Sequence, residues 1–145
     1  MTYRVIEGAE HIDADDVCAL LKETYWASDR PRDVIKNAME HSVCYGLTVD
    51  GEERLAGFAR VITDYATTWY LCDVVISPRH RGKGLGTALV RHVASREIFR
   101  SLRGFLITRD AHGLYRKFGF ETVDGRVMMR IPGKPRTTDR QEAIL

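Results

Sequence analysis

The stretch from Asp73 to Val90 constrains this chain more than any other, because it changes character twice within eighteen residues. Val74, Val75 and Ile76 are β-branched and suit a buried strand, and Pro78, which has no amide hydrogen, ends the ladder near Ser77. Gly82, Gly84 and Gly86 then leave three positions without Cβ in a turn that also holds Arg79, Arg81 and Lys83. Leu85, Leu89 and Val93 are spaced to line one face, which predicts a helix over residues 87–93. A helix N-terminus offers unpaired amides and the positive end of its dipole, so a glycine loop feeding one is suited to cradle a phosphate.

Two common phosphate loops do not fit this spacing. Lys83 is followed by glycine rather than Ser or Thr, which excludes the G-x-x-x-x-G-K-[ST] pattern. The glycines read G-x-G-x-G rather than G-x-G-x-x-G, and no βαβ unit or acidic ribose ligand accompanies them, which excludes the dinucleotide fingerprint. What remains is R-x-x-G-x-G, preferred as Arg81-Gly82-Lys83-Gly84-Leu85-Gly86 because that register runs straight into the helix, although Arg79 with Gly82 and Gly84 also satisfies it. A second pattern, A-x-x-x-Y-x-x-x-G-F, begins at Ala111, thirty residues after Arg81, and contains Tyr115, Gly119 and Phe120. With these two ordered motifs the chain resembles the GNAT superfamily of acyl-CoA-dependent N-acetyltransferases, most closely over residues 70–123.

The resemblance implies a single α/β domain. Its central sheet would be mixed and mostly antiparallel, with one splayed parallel pair and about four flanking helices. It implies acetyl-CoA as cosubstrate and a primary amine, on a small molecule or a protein residue, as acceptor. The cofactor would lie along backbone groups of Val74, Val75 and Ile76, with its diphosphate on Arg81, Gly82, Lys83, Gly84, Leu85, Gly86 and Thr87. Tyr115 would return a proton to the departing CoA thiolate; on the residues alone it reads as a core tyrosine beside Leu114 and Phe118. The family often carries asparagine seven residues before this tyrosine, and here the position is Thr108.

Asp73 is the candidate general base. Alternation along its strand sets it opposite Cys72 and Val74, where it either faces the cleft or closes a strand edge. His112, one turn before Tyr115, is a further candidate to carry a proton or sits in solvent. Tyr25, Trp26 and Asp29, with Arg30, occupy the break between the first two helices, and Tyr65 lies in the turn before the central strand; these are the candidate acceptor-binding residues. Aromatic faces there suit an amine, and a lid over the core is the other reading.

In chain order, the pattern predicts a first strand over residues 3–7, a helix over 14–24 capped by Asp13, and a second helix from Pro31 to about residue 40. Strands over 44–49 and 55–63 flank the hairpin signal Asp50-Gly51, and the central strand covers 67–76. The helix after the glycine loop should reach residue 99, followed by a strand over 105–108 and a helix over 111–118, capped by Thr108 or Asp110 and stopped by Gly119. Asp124-Gly125 predicts a last hairpin between 121–123 and 126–131, whose free edge suits a dimer as well as a monomer. The acetyltransferase domain should span residues 1–131, and 132–145 should form a loose tail.

At 145 residues the chain has room for one domain with a genuine core. A net charge of +2 argues against nucleic acid as partner, and Arg91, Arg96, Arg100 and Arg103 read as a solvated face. Cys18, Cys44 and Cys72 show no C-x-x-C spacing, so neither a disulfide framework nor a metal site is expected, and residence in the cytoplasm is. No apolar run is long enough for a membrane span. The competing functional reading is a non-catalytic CoA-binding sensor or interaction module on the same fold.

Overall fold

The computed structural model describes residues 2–133. Five strands form one sheet in the order β1-β2-β3-β4-β5: β1 (Tyr3–Glu7), β2 (Val43–Val49), β3 (Gly57–Thr63), β4 (Thr68–Ile76) and β5 (Arg103–Leu106). Each neighbouring pair is antiparallel except β4 and β5, which run parallel. The parallel pair needs a crossover, and α3 (Leu85–Ala94) supplies it. This is the mixed α/β architecture that the resemblance implies, with α1 (Ala14–Leu21), α2 (Arg32–Glu40) and α4 (His112–Arg116) completing the four α-helices among the described residues.

Each face of the sheet has its own core. Leu85, Leu89, Val90 and Val93 of α3 pack with Tyr45, Leu47, Val61, Trp69 and Leu71 on one side. Val17, Leu20 and Leu21 of α1, with Ile35 and Met39 of α2, pack with Cys44, Phe58 and Val75 on the other. Burying both faces is what makes β2 and β3 almost continuously apolar. No helix among the described residues is long and apolar enough to cross a membrane.

Several elements are shorter than the periodicity predicts, for local reasons. Asp13 caps α1 by accepting from the Asp15 amide at 2.8 Å, but the helix ends at Leu21 rather than residue 24. There the Thr24 hydroxyl donates to the Leu21 carbonyl at 2.7 Å and accepts from the Ala27 amide at 3.1 Å, folding the chain into turns instead of a further helical turn. Likewise α3 stops at Ala94; Arg96 is extended (ψ 130°) and a 3-10 turn, Glu97–Phe99, follows. Arg96 reaches away from the helix to Glu7 on the far edge strand, Nη2 to Oε2 at 3.0 Å.

The expected C-terminal hairpin is corrected. Asp124 and Gly125 do turn, with Gly125 at φ 74°, but residues 121–123 and 126–131 form no strands. Val127 is 68% and Met128 96% exposed, so the segment's apolar side chains gain little burial, and an unpartnered hairpin is marginal in water. The edge strand proposed for dimerisation at residues 126–131 is therefore not formed. The expected tail lies, from residue 134 onward, outside the described residues.

Candidate active site

The glycine loop begins where β4 ends. Pro78–His80 make one 3-10 turn, Arg81 is extended, and Gly82 and Gly84 take φ of 78° and 81°, a left-handed conformation that costs other residues about 1–2 kcal/mol. Gly84 is the N-cap of α3, and among the described residues no side chain caps that end, which leaves the first-turn amides unpaired there. A Cβ at Gly82 or Gly84 would meet nothing within 4 Å among the described residues, so open space lies before the loop. This cradle fits a diphosphate. Arg81 turns back, its Nε donating to the Ile76 carbonyl at 3.1 Å, while Lys83 stays exposed. His80 is buried behind the loop with Nε2 3.0 Å from a Glu52 oxygen, and Arg79 reaches the same carboxylate at 3.3 Å.

Next to the loop, β4 and β5 separate. Their pairing runs from Thr68 and Arg103 to Leu71 and Leu106 and stops, although β4 continues to Ile76. Among the described residues, one backbone edge of residues 72–76, including Val74, Val75 and Ile76, is thus left without a strand partner. Within this run the register against β3 slips: Phe58 faces Val75 but Arg60 faces Cys72, so Asp73 and Val74 together oppose Ala59. Asp73 bears the bulge, with φ 52°. The slip switches faces, since Leu71 joins the α3 core whereas Val75 joins the α1–α2 core. Simple alternation, which sets Asp73 opposite Cys72, fails for this reason.

On the α1–α2 side the Asp73 carboxylate is fully engaged. Oδ1 accepts from Trp26 Nε1 at 3.1 Å, and Oδ2 accepts from Arg30 Nη1 at 2.8 Å and Arg60 Nε at 2.9 Å. Burial alone would raise its pKa, but the charge of Arg60 and the hydrogen bonds from both arginines hold it below the usual carboxylate value. Arg60 is further held by Ser42, Nη1 to Oγ at 3.0 Å. Trp26 meets the Tyr25 ring edge to face at 5.0 Å, and the Arg109 guanidinium lies 3.6 Å over Tyr25. Of the four candidate acceptor-binding residues, Tyr25 and Trp26 are thus drawn together above β4. Asp29 is exposed on the same loop. Tyr65 is 61% exposed in the β3–β4 turn, and five strand residues at ~3.3 Å each separate the start of β4 from Asp73. Arg60 and Arg109 complete the group without having been expected there.

Tyr115 is set by the end of α4. The Phe120 amide donates to the Tyr115 carbonyl at 3.3 Å and the Gly119 amide to Arg116 at 3.2 Å, with Gly119 at φ 90°, a Schellman closure. Its accompanying apolar contact is Tyr115 against Phe120, ring centroids 6.1 Å apart. Burial, with smaller contributions from Asp110 and Tyr25, pushes the phenol up to about 12, so it is protonated at neutral pH. Thr108 accepts from the Ala111 amide at 3.0 Å and holds the entry to α4. A cavity of about 770 Å³ opens between β5, α4 and residues 120–129; Tyr115 and His112 line it, and the glycine loop does not. No set of three or more His, Cys, Asp or Glu side chains that could hold a metal occurs among the described residues, and the three cysteines are free.

Residues 14–120 match the family model described as Acetyltransferase (GNAT) family. A structure from Xanthomonas campestris pv. campestris assigned to the GNAT family of acetyltransferases is 38% identical, with TM-score 0.82 over 90% of this chain and 94% of that one. The aminoglycoside N-acetyltransferase AAC(6')-Iy, solved in complex with CoA, shares the fold at 16% identity and TM-score 0.68, covering 90% of this chain and 95% of its own. Histone acetyltransferase TAP1 of Glycine max is 27% identical over 129 residues, 81% of this chain and 55% of its own. The chain spans about half the length of the curated relatives it matches, 51% in another case.

Proposed function

The chain belongs to the acetyltransferase (GNAT) family, and on that premise we propose that it transfers the acetyl group of acetyl-CoA to a primary amine by direct attack in a ternary complex. The observation that carries this reading is the split between β4 and β5, which opens an unpaired strand edge directly before a glycine loop with free helix amides. Amides of Gly82, Lys83, Gly84, Leu85, Gly86 and Thr87 would hold the diphosphate. The open edge of Val74, Val75 and Ile76 would bind pantetheine as an added strand. Bound there, acetyl-CoA supplies an activated acyl thioester.

The amine nitrogen attacks the carbonyl carbon, the C–N bond forms, and the C–S bond breaks. We assign Tyr115 to deliver its phenolic proton to the leaving sulfur, and its raised pKa supports that role by keeping the proton available. Both oxygens of Asp73 are occupied and its pKa is depressed, so we assign it to positioning and let water carry the ammonium proton away. Free cysteines support a reducing, cytoplasmic setting.

Calorimetry with acetyl-CoA, followed by thiol release in the presence of amines, tests the reading. Stoichiometric binding with amine-dependent thiol release is expected. Binding without any amine-dependent release would favour the CoA-binding module, and no binding by folded protein would overturn both.

A further inference from the structure

The group above β4 is unbalanced in charge. Two guanidinium groups, Arg30 and Arg60, share the single carboxylate of Asp73, with side-chain exposures of 25%, 12% and 3%. Among the described residues that leaves one surplus positive charge in a place largely shielded from water, where an unpaired charge is costly. Arg109 adds another at the rim; Asp110 lies 3.8 Å from it, but both side chains are about two-thirds exposed and the pair is weak in solvent. Asp29 is likewise on the exposed side of the loop, where salt screens it. The one buried carboxylate cannot receive an ammonium group, because Trp26, Arg30 and Arg60 already occupy both of its oxygens.

Arg30 commits Nη1 to Asp73 and keeps a quarter of its side chain open, on the loop that carries the Tyr25 and Trp26 rings. Arg109 holds its planar face on Tyr25, and Tyr25 lies close enough to Tyr115 to perturb the phenol. The cations therefore stand beside the aromatic pair that would receive the amine. Guanidinium forks match carboxylate and phosphate oxygens. We propose that the acceptor is a small primary amine bearing its own anionic group, a carboxylate or phosphate, which Arg30 and Arg109 bind beside the Tyr25 ring. This rests on the acetyltransferase reading above. The same surplus charge lowers the pKa of an approaching ammonium group and so favours the neutral amine that attacks, a contribution that suits a site whose carboxylate is not free to act as base.

The test is a matched panel assayed by thiol release with saturating acetyl-CoA. It comprises the proteinogenic amino acids with their decarboxylated amines, phosphoethanolamine with ethanolamine, spermidine, and a lysine-containing peptide. The expected result is an anionic member preferred over its neutral-tailed counterpart by roughly 10- to 100-fold in kcat/KM, the worth of a charged hydrogen-bonded pair. The two matched sets tell carboxylate from phosphate. Arg109→Gln and Arg30→Gln should each shrink that ratio, chiefly through KM; Arg109→Gln leaves the Asp73 contacts in place and serves if Arg30→Gln does not fold. Equal or better turnover of spermidine, the peptide or the decarboxylated amines overturns the proposal while leaving the acetyltransferase intact. So does acetyl-CoA binding with no anionic amine turned over or bound by the CoA complex. Failure to bind acetyl-CoA sinks the parent reading instead.

Discussion

The Nε of Arg60 donates to Oδ2 of Asp73 at 2.9 Å, joining two charged side chains on adjacent strands whose neighbours are apolar. The pair explains why an aspartate tolerates φ 52° at a strand bulge: strain of about 1–2 kcal/mol is offset by contacts to both carboxylate oxygens. Removing the carboxylate strands two partly buried arginines. Asp73→Ala should therefore lose roughly 3–5 kcal/mol of stability in urea unfolding. Asp73→Asn, which keeps the shape and tolerates the backbone, should lose less. An Asp73→Asn variant that unfolds like wild type yet has no turnover at any pH would restore Asp73 as the base.

A second carboxylate works in the open. Asp64 Oδ1 accepts from the amides of Ala66, Thr67 and Thr68 at 2.9, 2.8 and 3.2 Å, and Oδ2 accepts from the Thr67 hydroxyl at 2.6 Å. The Thr67 hydroxyl first, then these amides, holds the Asp64 pKa well below the ordinary 3.8. With the folded pKa depressed, its stabilising effect is complete above that ordinary value and disappears as pH falls through the lower folded one. Asp64→Asn should be less stable than wild type at pH 7, and the gap between their urea midpoints should narrow below pH ~3.8. A gap independent of pH would show that the charge of Asp64 is immaterial to the turn.

Tyr115→Phe keeps the ring against Phe120 and the Schellman closure, which use no hydroxyl. The variant should bind acetyl-CoA as wild type does and lose roughly 10²–10⁴ in kcat where chemistry limits the rate, the usual worth of a positioned general acid. Because the phenol titrates at about 12, any alkaline loss of activity near pH 8–10 should survive the substitution. Unchanged kcat in single-turnover measurements would remove Tyr115 from the mechanism.

What could be read in the sequence was whatever local chemistry dictates. The Asp13 cap, the Pro31 helix start, the glycine loop after β4 and the Gly119 stop are each set by residues within a few positions of one another. Arg60 was missed although it left a trace: it sits among Phe58, Ala59 and Val61 on the strand hairpinned to the one that carries Asp73, and an arginine in such a run needs a carboxylate. The one-residue bulge that turns Asp73 toward it is a tertiary outcome and leaves no periodic mark. Arg109 over Tyr25 joins residues on opposite sides of the sheet order, so nothing near either one announces the contact. The hairpin expected at Asp124-Gly125 shows the converse, a sound turn signal whose strands find no sheet to extend.

Two glycines of the loop should respond in opposite ways to the same substitution. Gly84 has φ 81° and open space where a Cβ would stand, so alanine there pays about 1–2 kcal/mol in backbone strain and projects a methyl before the unpaired amides of α3. Gly86 lies within α3 without a positive φ, and its Cβ would rest 3.6 Å from Cγ1 of Ile76, an ordinary contact. Alanine there exchanges a poor helix former for the best one and should gain up to ~1 kcal/mol. Gly84→Ala should weaken acetyl-CoA binding at least about tenfold in calorimetry, whereas Gly86→Ala should bind within a few-fold of wild type and melt higher. If both variants bind alike while only their stabilities differ, the left-handed Gly84 serves the turn alone, and the amides in front of it hold no diphosphate.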